Sequence, residues 1–300
     1  MKVLVRMVFL ALVSGMLLQN ITIAQTSPKY REEIQHWNKE RIDFLRSPAG
    51  WLNLEGLFWL RPGRNYLGSA GSNDFVYKHP SMPAVAGYFE WENGEVNWVS
   101  QPGVSITLQD SVVNSLKVFE EAKPAPLLAL QTLRWNVIKR EDKMGIRLRD
   151  IASKAVQNFR SIERYPTNIS WRVSAKLEAP AQTNIFITNV LGQTNTLQTP
   201  GKLVFSINGK TYRLDALLEE DQLFIIFADA TNGKGTYPAG RFLYAALPDA
   251  EGNTVLDFNK AYNPPCAFSP FATCPLPPPQ NQLPFAIPAG EKNYHAAKSK

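Results

Sequence analysis

A chain of 300 residues that is 44% hydrophobic has the apolar side chains for a substantial core, and 32 Lys and Arg against 26 Asp and Glu leave it a net charge of only +6. The basic residues are spread along the chain without a block of like charge, which excludes a nucleic-acid stripe as its organising feature. With two cysteines and three histidines, neither a metal centre nor a cofactor motif stands out.

The N-terminus reads as a targeting segment. Lys2 and Arg6 precede a short apolar run from Met7 to Leu18, and Thr22-Ile23-Ala24 ahead of Gln25 offers a small-residue cleavage site. A membrane span needs about 20 apolar residues, and Ser14, Gly15, Gln19 and Asn20 interrupt this run. Residues 1–24 are therefore expected to be a signal peptide cleaved near Ala24. The mature chain is placed in the periplasm or outside the cell, with no membrane span left. No cysteine closely follows the run, so a lipid anchor is not expected.

Ser27 and Pro28 then supply an N-cap and a first-turn proline for a helix over 25–50, with Glu32 and Glu33 in the early turns. Ile34, Trp37, Phe44 and Leu45 share one face, and Pro48-Ala49-Gly50 ends the segment. From Trp51 the pattern becomes period-two. Strands are predicted at 75–77, 87–91, 96–99 and 104–108, with Glu92-Asn93-Gly94 as a hairpin turn. A second set falls at 133–138, 144–148, 169–177, 184–190 and 202–207. It continues through Asn208-Gly209 into 211–217, then 222–228, 241–246 and 254–258. A short second helix is predicted over 151–160, capped by Asp150. The fold class is therefore mainly β: two packed antiparallel sheets, as a sandwich or distorted barrel, in a body spanning 51–292. Pro124-Ala125-Pro126 is expected to divide that body into 51–123 and 127–292, and 293–300 reads as a solvated tail.

Common catalytic signatures are missing. There is no Gly-x-Ser-x-Gly elbow, no His-Glu-x-x-His and no phosphate loop, and His79 between Lys78 and Pro80 reads as a surface turn residue. Polar residues inside otherwise apolar sequence are the remaining candidates. Asp257, Lys260 and Tyr262 could carry acid–base chemistry, and Arg147, Tyr237, Arg241, Asn259 and Asn263 could bind a ligand. These residues could equally form a buried network that fixes a loop on the sheet.

That loop, from Pro264 to Pro279, holds both cysteines and seven of the 22 prolines. It is too apolar for a linker and too proline-rich for a helix or central strand. In an oxidising compartment Cys266 and Cys274 read most simply as a disulfide. Free structural thiols and a reactive or metal-binding pair are the alternatives, and zinc would need two more ligands from a chain with only His36, His79 and His295.

Two resemblances follow from particular residues. Trp51 to Leu60, the Asp229-Ala230-Thr231 to Arg241 run, and Leu256 to Pro279 with Asn281-x-Leu283-Pro284 resemble the DUF1684 family, which implies no activity, substrate or site residue. Leu60 to Ser69 followed by Ser72 to Val76 is similar to the opening of forkhead-associated domains, which implies a β-sandwich start. Ser69 stands where that family has its phosphate-binding arginine, so phosphopeptide binding is not implied. The expected functions are a pocket for a small or glycan-like ligand walled by the C-terminal loop, a hydrolase-like site on Asp257 with Lys260, Tyr262 or Asn263, or a purely structural envelope protein. No nucleic-acid partner and no cofactor are expected.

Overall fold

The computed structural model of the chain describes residues 26–294. The predicted signal peptide lies outside the described residues, as does most of the predicted tail.

The N-terminal helix forms as its cap predicts. It runs Pro28–Arg46, the Ser27 hydroxyl accepts from the Tyr30 amide at 3.2 Å, and Tyr30, Ile34 and Leu45 are buried. After it the chain turns sharply at Gly50, where a Cβ would lie 2.2 Å from the Leu45 carbonyl oxygen.

The next hundred residues build a β-sandwich. One sheet has the order Leu54–Trp59, Lys143–Asp150, Leu133–Arg140, Leu128–Leu130, Thr107–Leu108 and Ser111–Val112. The facing sheet has the order Phe75–Val76, Gly63–Gly68, Gly87–Glu92, Glu95–Ser100 and Ser115–Phe119. Phe89, Val96 and Trp98 from one sheet meet Trp135, Ile146 and Leu148 from the other, with the Trp98 and Trp135 rings 5.5 Å apart. The Asn93-Gly94 turn has φ of 51° and 80°, the left-handed pair that a two-residue hairpin needs.

This arrangement corrects the expected internal boundary. The strands after Pro126 pair back into the first unit, because Leu133, Trp135 and Val137 need Trp98 and its neighbours to cover them. Pro124-Ala125-Pro126 is thus a turn inside the sandwich, and the crossover to the second unit occupies residues 151–171. The short helix there is Lys154–Asn158, capped by Ser153 and not by Asp150.

The second unit is a nearly closed, barrel-like antiparallel sheet. Its order is Arg241–Ala246, Gln222–Phe227, Lys210–Glu219, Gly201–Ile207, Arg172–Glu178 and Asn253–Asp257. Leu203, Leu214, Leu223, Ile225, Phe227, Leu243 and Leu256 fill its interior. The strand Gln222–Phe227 is apolar on both faces for a reason. Leu223, Ile225 and Phe227 point inward, whereas Phe224 and Ile226 pack outside with Leu54 and with Ile185 and Ile187 of the hairpin Asn184–Thr188/Thr194–Gln198.

The C-terminal segment is ordered through short 3₁₀ turns, and Cys266 and Cys274 are joined in a disulfide with Cα atoms 6.1 Å apart. Asn281 ties it to the barrel, accepting from the Asp215 amide at 2.7 Å and donating to the Asp215 and Ile226 carbonyls at 2.9 Å. No helix among the described residues is long and apolar enough to cross a membrane.

Candidate functional site

Where the outer face of the sandwich meets the outer face of the barrel, a cavity of about 610 Å³ remains. The N-terminal helix contributes Trp37, Arg41 and Phe44 to its wall, and the sandwich contributes Trp51, Arg140 and Arg147. The barrel supplies Glu219, Phe224, Phe242 and Tyr244, and the C-terminal loop closes it with Tyr262, Thr273, Cys274 and their prolines.

The helix wall is held by contacts with the last part of the chain. The Tyr30 hydroxyl lies 2.7 and 2.8 Å from the two oxygens of Asp257, Lys260 pairs with Glu33 at 2.6 Å, and Arg41 pairs with the buried Glu291 at 3.3 Å. Arg41 also donates to the Asn263 carbonyl at 3.0 Å and lies 4.5 Å from the centroid of the Tyr262 ring.

Tyr262 is the centre of an aromatic cluster. Its ring stacks on Tyr244 at 6.1 Å and 14°, meets Phe242 edge-on at 5.9 Å, and lies 6.4 Å from Trp37. Its backbone continues the barrel, exchanging hydrogen bonds with Phe242 at 2.9 and 3.0 Å. Burial, and then the neighbouring Tyr244, push the Tyr262 hydroxyl well above the ordinary phenol range. Burial and the 2.6 Å hydrogen bond that Tyr244 donates to Glu219 do the same for Tyr244. Both phenols therefore stay protonated at neutral pH.

The opposite wall is cationic. On the strand Lys143–Asp150, Met144, Ile146 and Leu148 enter the sandwich core, so Arg147 and Arg149 point away from it. Both are nevertheless buried, Arg149 against Gly50, Trp51 and Asn53, and Arg147 in the cavity wall shared with the barrel and loop. The Trp51 ring lies 5.2 Å from the Arg147 guanidinium and 5.5 Å from that of Arg149. Arg149 is satisfied by the Gly50 carbonyl and by Asn53 Oδ1 at 2.9 Å. Arg147 is not: its Nε has no hydrogen-bond partner, and among the described residues no carboxylate pairs with it. Burial, then Arg140 and Arg149, push its pKa down to about 10. Arg140 donates to Thr273 Oγ1 at 3.2 Å and to the Lys139 carbonyl at 2.9 Å, and burial lowers its pKa as well.

The structure separates the residues expected at one site. Arg147 and Tyr262 line the cavity. The other six do not. Asp257 is buried beneath Tyr30 and accepts from the Asn259 amide at 3.1 Å, so its carboxylate caps a turn. Asn259 bridges Tyr30 and residue 168, donating to the Asn168 carbonyl at 2.9 Å. Lys260 is spent on Glu33, and Asn263 on Glu291 and the Lys292 carbonyl. Arg241 is fully buried against Asp229 and the Ala289 and Ile287 carbonyls. Tyr237 sits in the turn beyond Thr236, where its carbonyl accepts from Asn232. His79, read as a surface turn residue, lies 3.4 Å from the buried Asp150 and stacks on Tyr77. Trp37, Arg41, Trp51, Arg140 and Tyr244 escaped the sequence reading. The available signal was the Trp37-Arg41-Phe44 spacing on the helix and the alternating Arg147/Arg149 pair on an otherwise apolar strand.

The profile of the family "Protein of unknown function (DUF1684)" matches residues 157–292. The solved structures similar to this chain include an uncharacterised protein of Haloarcula marismortui determined by solution NMR. It is 31% identical over 45% of this chain and 78% of its own, with a TM-score of 0.38. Two forkhead-associated domain structures, one described as FhaA in complex and one as phosphothreonine-dependent, are each 13% identical over 31% of this chain. They are covered to 97% and 92% of their own length, at TM-scores of 0.23. No curated protein matches the chain.

Proposed function

This chain belongs to the DUF1684 family, which brings no reaction with it, and from the geometry of the cavity we propose that it binds a small organic or glycan-like ligand between its two β units. The observation that carries the reading is the cavity itself: about 610 Å³, walled largely by Trp37, Trp51, Phe242 and Tyr262, with a few polar groups aimed inward. That volume and mix of surfaces suit a drug-sized molecule. The hydrolase reading loses its acid, because Asp257 is engaged by Tyr30 and Asn259 away from the cavity.

The test is a thermal-shift screen of the mature protein against small metabolites and oligosaccharides, repeated with Trp37→Ala. A stabilising compound whose effect is lost in a folded Trp37→Ala variant supports the reading. A screen without hits, or hits indifferent to Trp37, overturns it. We also propose that the protein works in the periplasm or outside the cell, supported by the N-terminal run ahead of Ala24 and by the disulfide. The intact mass of the exported chain tests this, and a mass corresponding to a start at Met1 rules out cleavage.

A further inference from the structure

We propose that the ligand of this cavity is an organic anion, a carboxylate or phosphate on an apolar or aromatic body, with its charged head on Arg147 and Arg140 and its body against Trp37, Phe242 and Tyr262. The inference rests on the cavity being a ligand site and adds the chemical class.

The argument begins with an imbalance of charge. A buried guanidinium is normally matched by a carboxylate, since an unpaired buried charge is among the most costly features a fold can keep. Arg241 shows the usual solution in this same protein, with Asp229 against it and both side chains fully buried. Arg147 is 8% exposed and among the described residues no carboxylate pairs with it; both arginines leave their Nε without a hydrogen bond, but only at Arg241 is the charge matched. Nearby Arg140 adds a second cation held only by neutral oxygens, and Arg149 a third. Burial and this mutual repulsion are what depress the Arg147 pKa. Two acids also line the cavity, Glu219 accepting from the Tyr244 hydroxyl at 2.6 Å and the exposed Glu40 lying 3.2 Å from His36, but neither forms an ion pair with Arg147 or Arg140.

An oxyanion entering the cavity would supply what Arg147 lacks. A guanidinium presents donors in a planar fork that matches a carboxylate or phosphate in two hydrogen bonds. The surrounding apolar side chains lower the local dielectric, which strengthens that pairing. Trp37, Trp51, Phe224, Phe242, Tyr244 and Tyr262 give much of the remaining wall an aromatic surface, and Arg41 is already paired with Glu291, so an apolar or ring-bearing body fits there.

The experiment uses paired probes with a common aromatic body, one member anionic and the other neutral. 2-Naphthylacetate is titrated against its neutral amide, and 2-naphthyl phosphate against 2-naphthol, by calorimetry with the disulfide-bonded mature protein. The expected result is at least a ten-fold preference for the anion in one pair or both, and which pair shows it distinguishes a carboxylate from a phosphate site. Arg147→Met should abolish the preference while leaving the neutral probe's affinity within about two-fold. It should also raise the melting temperature of the ligand-free protein, because it removes an unmatched buried charge. If Arg147 were only a structural partner of Trp51, the same variant would melt lower. Should Arg147→Met fail to fold, Arg140→Gln, whose side chain is less buried, gives the same comparison with a smaller loss. Equal affinities within each pair, or a preference that survives Arg147→Met, would overturn the anion class while leaving the ligand site standing. No binding by any of the four probes counts against both.

Discussion

The Tyr30 hydroxyl, in the first turn of the N-terminal helix, sits within 2.8 Å of both carboxylate oxygens of Asp257, 227 positions later in the chain. The residue that looked best placed for acid–base work is thereby a clasp. Tyr30→Phe leaves a buried carboxylate short of a donor, a loss of about 1–3 kcal/mol. Urea denaturation should show that loss for Tyr30→Phe and a smaller one for Asp257→Asn. An Asp257→Asn protein of unchanged stability would mean the clasp is not what that carboxylate is for.

The disulfide should act on stability and on the cavity together, because Cys274 forms part of its wall. Closing so short a loop is worth about 2–3 kcal/mol in the chain-entropy picture. The Cys266→Ser/Cys274→Ser protein should lose about that much and bind cavity ligands more weakly. Reductant should bring the wild type to the same melting temperature. A wild type indifferent to reductant would remove this support for the loop.

Glu55 gives a pH dependence with a definite sign. Burial, and then the charge of Asp150, raise its pKa above the usual carboxylate value. A folded pKa above the unfolded one means this group's stabilising contribution is full below the unfolded pKa and disappears as pH rises through the folded value. Glu55→Gln should therefore match the wild type near pH 4 and melt higher at pH 7. Melting curves across that range check it, and a gap that is constant with pH contradicts the assignment.

The Asp229–Arg241 pair lies wholly inside the protein. Removing one partner strands the other, so Asp229→Asn should cost about 3–5 kcal/mol. Arg241→Met should also destabilise, and the double variant should lose clearly less than the two single losses added together. Strict additivity in that cycle would show that the two charges do not support each other.

How much of this could be read from the residues depends on range. The Ser27-Pro28 helix start and the Asn93-Gly94 and Asn208-Gly209 turns were legible because each is decided by neighbours a few positions away. The boundary was not legible. Pro124-Ala125-Pro126 looks the same whether the next strand starts a new unit or returns to the old one, and only Trp135 finding Trp98 decides between them. The cavity was half legible for the same reason. Arg147 stands out as a charge on a strand with an apolar alternate face, and Tyr262 as an aromatic beside the proline loop. Asp257 misled because a carboxylate capping its own turn and one facing a cleft have the same local sequence. Trp37, Trp51 and Tyr244 were missed because no local period links residues so far apart.

The contacts of the first helix carry a consequence for how the protein is made. Tyr30, Glu33 and Arg41 are anchored by Asp257, Lys260 and Glu291, so these contacts cannot form until almost the whole chain has been made. A chain truncated before residue 257 would leave the Tyr30 hydroxyl without its carboxylate partner, whereas Leu45 at the other end packs with Leu52, Phe159 and Ile162 and can be covered earlier. A helix near one end of the chain is thus fastened by residues near the other, and the chamber it walls is complete only once both are in place.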